Sequence, residues 1–498
     1  MLGVRPPVKI GAALGAGGSF LAACLITLTP SAAAAPQPDT ATAAARWQAG
    51  ELENGGIPGF SPGQSDWGLT IDTLIALKAT GADEKAAAEV VANLKTHVRD
   101  YNSNDAWGEP GQRVSGATAK LLYAAVAAGE DPTKFGKYDL RQETLDLIAG
   151  PGSGAEKGRV KDKITSGEDS SNTFGQSLAV LGLARSGDVP QSTVDFLMDQ
   201  QCAAGGFRLY PYAFGSTKVT GNCDAQGADA ILDPDSTAMA VQALLAAADD
   251  GVEGAASAAK KGGDWLAKVQ QADGSLIGSG PTAFPNANST GLGGQALAAT
   301  GHQEAADKAA SWIKARQISA ANAGAASAEI GAIAYNDEAL DGAKADGIPE
   351  FGRDQWRRST PQALLALAQV PLAKIGLTDQ KPSPDPSGKP SGDPSKSPSG
   401  KPSVDPSKSP SGTPSGSPSG TASGGASPTP SGTPSAGGSA GPASTTGTVP
   451  NGSAASGGSG PLASTGSNAL LLGGTAVALT AGGYTALRTA KRKRGSHA

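Results

Sequence analysis

Between about Thr40 and Leu377 the apolar positions fall at helical spacing, rich in Ala and Leu, with Gly at many segment ends. One segment type recurs: a Thr near a helix start, an apolar run, then often a Gly stop. The first copy runs from Thr73 through Leu77 to Gly81. The others are Thr118 to Val126 with Gly129, Thr173 through Leu183 to Gly187, Thr237 through Leu245, Thr290 through Leu297 to Gly301, and Thr360 through Leu367. The six copies are 45 to 70 residues apart. Each is apolar nearly all round, as a helix buried on both sides is. Between them lie amphipathic, charged helices near 84–98, 194–201, 265–271 and 305–316, with another near 43–50 before the first copy. Six buried helices and about as many amphipathic ones predict an all-α closed ring, inner helices wrapped by outer ones. An open solenoid of stacked helix pairs is the alternative.

The polar residues at the segment starts have an ordinary task, because Ser, Thr, Asp and Asn cap helices. Asn172-Thr173, Asp235-Ser236-Thr237 and Asn288-Ser289-Thr290 all suit it.

The chain ends follow other rules. Residues 1–34 have the layout of a secretory signal peptide: Arg5 and Lys9, an apolar run from Ile10 to Leu28, then small residues from Ser31 to Ala35. Leu21-Ala22-Ala23-Cys24 also matches a lipobox, but the apolar run continues past Cys24, so that cysteine reads as part of the signal. Residues 35–380 form the candidate globular domain. Residues 381–460 repeat Pro-Ser-Gly and Asp/Lys-Pro-Ser units and lack the large apolar residues of a core. As extended polyproline II at about 3.1 Å per residue, some 80 residues reach on the order of 200 Å, a wall-spanning stalk. In residues 461–498, Leu462-Ala463-Ser464-Thr465-Gly466 precedes an apolar stretch at 469–486, which a basic tail from Arg488 to Arg494 closes. Eighteen apolar residues are just enough to span a bilayer, and the tail would hold the helix at the cytoplasmic face.

Charge and cysteine content narrow the function classes. Forty Lys+Arg against 45 Asp+Glu give a net charge of -5, which argues against a nucleic-acid partner. Without Cys24 the mature chain keeps Cys202 and Cys223, which read as one disulfide in an exported protein. The bridge would close a short loop carrying Phe207, Tyr210 and Tyr212, with Asp224, Asp229, Asp233 and Asp235 just after it. That loop is either a ligand-gripping feature beside an acidic rim or a pinned surface insertion.

Three resemblances sharpen these expectations. The C-terminal trio of motif, apolar stretch and basic tail resembles a cell-wall sorting signal of the Leu-Ala-x-Thr-Gly type, similar to those read by the class E sortases of streptomycetes. It implies cleavage after Thr465 and attachment of that residue to peptidoglycan. Gln200-Gln201-Cys202-Ala203-Ala204-Gly205-Gly206-Phe207 and Gln270-Gln271-Ala272-Asp273-Gly274-Ser275 resemble the Gln-x-x-x-Gly-x-aromatic repeats of squalene cyclases and protein prenyltransferases, with Leu276 standing where the second aromatic belongs. Trp47-Gln48-Ala49-Gly50 is a weaker copy. This resemblance covers roughly residues 40–375 and implies an α6/α6 toroid, a fold shared with vitamin B12 carriers of the transcobalamin type. Asp233-Pro234-Asp235-Ser236-Thr237-Ala238 resembles the Asp-x-Asp-Asp-Thr-Ala motif of squalene-hopene cyclases, with Ser236 replacing the second Asp of the pair. Asp235, flanked by Asp233, would then be the proton-donating acid.

Three functions remain on the sequence. The first is a wall-displayed toroid whose central cavity, lined by Ala, Gly, Thr and Leu, holds a hydrophobic or cofactor-like ligand such as a corrinoid. The second is a terpenoid-cyclase-like enzyme using Asp235 as general acid. The low aromatic content, 4%, weighs against it, since carbocations need aromatic faces. Trp47, Trp265 and Trp312 are expected to pack the outer shell. The third is a structural or adhesive surface protein. No cofactor and no metal site are read from the sequence: His97 and His302 have no partner at ligand spacing.

Overall fold

The computed structural model describes residues 38–377 apart from Pro62, Phe214 and Gly215. The expected signal peptide, stalk and sorting signal, with Leu462 to Gly466 and the 469–486 stretch, lie outside the described residues. Among the described residues there are fourteen α-helices and no β-strand, and no helix is long and apolar enough to cross a membrane.

Six helices form an inner ring: α2 (Trp67–Thr80), α5 (Ser115–Ala128), α7 (Thr173–Ser186), α9 (Pro234–Asp249), α11 (Ala287–Ala299) and α14 (Arg353–Ala368). Each packs on the next, and α14 packs back on α2, which closes the ring. These are the six recurring segments. The outer layer comprises α1 (Pro38–Gly50), α3 (Glu84–Thr96), α6 (Leu140–Leu145), α8 (Gln191–Asp199), α10 (Ala255–Val269) and α12 (Gln303–Ala315), with the short α4 (Val98–Asn102) and α13 (Asp337–Asp346) in connections. The architecture is therefore an all-α closed ring of six inner and six outer helices, not an open solenoid. The outer helix α6 was not legible as a periodic segment, because six residues carry too little pattern.

The inner helices start where short polar side chains cap them. Asp66, Asn172, Asp233 and Asn286 accept the N–H of Leu69, Gly175, Ser236 and Ser289. The recurring Thr residues, expected as caps, have a different task. The hydroxyls of Thr70, Thr237, Thr290 and Thr360 accept the N–H of Ile57, Phe207, Leu276 and Ile333 at 2.9 to 3.0 Å. Thr70, Thr237 and Thr290 pin the incoming chain from the first turn of their inner helices, and Thr360 does so from the middle of α14. In α2 the pinning residue is Thr70; Thr73 instead accepts from Gln48 at 2.9 Å.

The Gln-Gly units clamp neighbouring outer helices. Gln201 Nε2 donates to its own Gly205 carbonyl and to Ala258 of α10, and Gln270 does the same to Gly274 and Ala305 of α12. A third unit escaped the sequence pattern, because residues 318–330 separate its halves: Gln317 donates to Gly331 and, across the ring seam, to Thr40 of α1. The expected outer-shell tryptophans lie in this clamp. Trp47, Trp265 and Trp312 sit on α1, α10 and α12 and are at most 9% exposed, with Trp47 and Trp312 donating to Glu329 and Asp273.

The inner helices are parallel. Their C-terminal halves meet residues 370–376, which plug that end. Gln295 and Tyr123 donate to the carbonyls of Val370 and Leu372, Gln242 accepts the Leu372 N–H, and Arg185 donates to Ile375 O at 2.6 Å. Along nearly their whole length the inner helices are buried. Gly291 and Gly294 let α11 approach α14 until no Cβ would fit. The expected central cavity is therefore absent from the described ring: the small residues that suggested a lining bring helices together instead. An open groove of about 480 Å³, lined by Lys78, Ala87, Val91, Lys95 and Glu130, lies on the outer flank.

Candidate functional site at the ring mouth

The N-terminal ends of the inner helices define the other face, here called the mouth. Six loops lead into it from the outer helices, and they hold the accessible polar chemistry of the ring. The fourth, residues 200–233, contains the disulfide between Cys202 and Cys223, whose Cα atoms are 4.8 Å apart. The candidates in this loop separate. Phe207 is fully buried and packs near Gly262 and Thr237, so it is a core residue and not a ligand contact. Tyr210 and Tyr212 are half-buried and stack on each other, centroids 5.4 Å apart. Asp224 turns back to accept the Ala203 N–H beside the bridge, and Asp229 is exposed. Arg208, buried among Gln200, Thr220 and Gln226, pins the loop from within.

Asp233 and Asp235 sit together at the start of α9, in unequal surroundings. Asp233 is buried and fully engaged: one carboxylate oxygen accepts the Ser236 N–H at 2.6 Å and the other the Ser279 hydroxyl at 2.5 Å. Asp235 keeps a partly open edge, yet its Oδ1 is shut off from water and has no hydrogen-bond partner. Burial, and then the negative charge of Asp233, push the Asp235 carboxyl up to about 7, against a pull from the nearby Ser289 hydroxyl. Ser289 lies close to Asp235 but outside good hydrogen-bond geometry, so its hydroxyl and that of Ser236 are also unpartnered. A carboxyl raised in this way can still carry a proton near neutral pH, as a general acid must. Tyr335 completes this side; burial and then the Asp235 charge raise its phenol pKa.

The polar layer continues around the ring through residues to which the sequence assigned no site role. On α11, Asn288 donates to Gln362 of α14 at 2.6 Å. Gln362 Nε2 is buried without a partner and approaches Asp72 of α2. Asp72 is paired with Lys120 of α5 at 2.7 Å, both essentially unexposed, and Lys120 also donates to the Gly68 carbonyl. Burial raises the Asp72 pKa against the Lys120 charge, and burial lowers that of Lys120. Arg358 binds Asp66 at 2.6 Å and Asp354 at 2.8 Å. The signal for Asp72 and Lys120 was present: a charged residue within an otherwise apolar helix needs a partner. Ser279, Tyr335 and Gln362 gave none, because distant loops and helices bring them here. Among the described residues no group of His, Cys, Asp and Glu is placed to hold a metal ion.

No protein-family model matches the chain, and no curated protein is detectably similar to it. Several solved structures are similar at low identity. A protein from Actinoplanes is 15% identical with a TM-score of 0.44, covering 67% of this chain and 99% of its own. The GH76A alpha-1,6-mannanase from Salegentibacter sp. HEL1_6 is 12% identical, with a TM-score of 0.44 and coverage of 68% and 99%. The type II terpene cyclase MstE from Scytonema is 14% identical, with a TM-score of 0.43 and coverage of 67% and 98%. Likeness at this level says nothing of substrate or chemistry.

Proposed function

We propose that residues 35–380 are the ligand-engaging head of an exported, wall-anchored protein, and that the ligand is taken at the ring mouth around Asp235. The observation that supports the reading is the Asp233–Asp235 pair. It offers a carboxyl raised to about 7 beside two buried, unpartnered hydroxyls at the accessible end of a ring whose interior is closed. Wall attachment rests on the sorting signal: Thr465→Ala should move the protein from the wall fraction to the membrane fraction.

Asp235→Asn tests the site. The amide keeps a neutral donor and acceptor but cannot release a proton. Ligand affinity of the wild type, measured by calorimetry on the mature protein, should fall as pH rises through about 7, while the variant binds with little pH dependence. The variant should also be the more stable at neutral pH. A carboxyl whose pKa rises from 3.8 unfolded to about 7 folded stabilises the fold at acid pH. That contribution is lost as pH rises across the window. A flat wild-type profile would remove Asp235 from the site.

A second reading, an enzyme with Asp235 as general acid, draws on the same pair. It differs in one respect: Asp235→Asn would then bind ligand and fail to turn it over.

A further inference from the structure

Large apolar side chains left exposed among the described residues are not scattered. Phe60 (74%), Ile164, Ile231 (60%), Phe284, Ile330 and Phe351 (88%) all lie on loops that lead into the mouth, and only Leu377 lies at the plugged end. Phe284 meets Tyr335 edge to face, centroids 5.8 Å apart, and Tyr335 adjoins Asp235. Phe60 lies under the Arg358 guanidinium, 5.2 Å from its ring centroid, and Arg358 is held by Asp66. The first turns of α9 and α11 add the buried, unpartnered Asp235 Oδ1, Ser236 Oγ and Ser289 Oγ.

Resting on the mouth reading above, we infer that the ligand is a neutral glycan chain. A pyranose has flat C–H faces that lie on aromatic rings and a perimeter of hydroxyls that both donate and accept. The mouth offers both: aromatic rings on its loops, and hydroxyl and carboxyl groups at the starts of α9 and α11. The other ligand chemistries fit less well. A lipid or isoprenoid needs a continuous apolar bore, and the ring has none. An anion would face the Asp233 carboxylate. A protein partner needs a contiguous apolar core with a polar rim, and here the apolar groups form the rim.

The test is affinity electrophoresis of the mature protein in gels containing soluble neutral polysaccharides (mannan, xylan, mixed-linkage β-glucan, α-glucan), with calorimetry on the matching hexasaccharides. Cyanocobalamin and farnesol are the comparison ligands. Wild type should be retarded by at least one polysaccharide. Phe60→Ala/Phe284→Ala, two changes at exposed positions, should bind at least tenfold more weakly with its unfolding midpoint unchanged. Several results would overturn the inference: no retardation in any gel, retardation unchanged in the double variant, or self-association through this face that the double variant abolishes. Binding of cyanocobalamin or farnesol that Asp235→Leu abolishes would leave the mouth reading standing and the glycan inference fallen. Glycan binding lost in the Phe variant but untouched in Asp235→Leu would uphold the glycan surface and remove Asp235 from it.

Discussion

Replacing Lys120 by Met should destabilise the ring more than any other single change considered, by about 3–5 kcal/mol in denaturant unfolding. Lys120 and Asp72 are side by side on α5 and α2, neither is measurably exposed, and their nitrogen and oxygen are 2.7 Å apart. Removing the ammonium leaves a carboxylate with no counter-charge where water cannot reach it. Asp72 then has one escape, protonation. Burial already raises its pKa and Lys120 holds it down, so without Lys120 it titrates higher still. The variant should therefore be most stable at acid pH and lose stability as pH rises through the folded pKa of Asp72. Adding Asp72→Leu to Lys120→Met should recover much of the loss, because two apolar groups of similar size remove the stranded charge. If both single variants unfold like wild type, the pair is not buried as described.

Gly331→Val should be the second largest effect, about 3 kcal/mol, and its consequence should be local to the ring seam. Gly331 has φ +107, a conformation that a β-branched residue does not adopt without strain, and an added Cβ would meet the Ala43 carbonyl at 2.3 Å. The same carbonyl clamp holds Gln317 to Thr40, so the glycine stands where the last repeat grips the first helix. Neighbouring contacts belong to the same seam: Glu51, just past the end of α1, is held by Arg353 and Arg357 of α14, and Trp47 by Glu329. Forcing α1 away should raise hydrogen exchange in α1 and α14 first and leave α7 and α8, on the far side, protected. Uniform loss of protection would mean that the ring unfolds as one unit and has no separate seam.

The contrast between Gln270 and Gln317 shows where the sequence stops being informative. Both residues make the same clamp, but only Gln270 is four residues from its glycine; the partner of Gln317 comes after an insertion that no short pattern spans. The mouth divides in the same way. Asp233 and Asp235 are two residues apart in sequence and were legible as an acid pair, whereas Ser279, Ser289 and Tyr335 reach them from three other elements. Phe207 shows the opposite error: it stood in an aromatic loop and looked available, yet its ring fills the gap under α9 and α10.

The sequence by itself determined the six inner helices, most of the outer ones and the difference between the two kinds. Helix periodicity, apolar all-round runs and glycine stops are local properties, set within a few turns of chain. The proposed division into a domain, a stalk and two targeting ends also rests on the sequence, since composition distinguishes a chain that can bury a core from one that cannot. The tertiary structure decided whether the small residues of the inner helices surround a space or abolish it. Ala and Gly allow either outcome; what settles it is how closely six helices approach once the ring closes. That closure packs the interior and leaves the mouth, where residues from distant segments meet, as the accessible face for function.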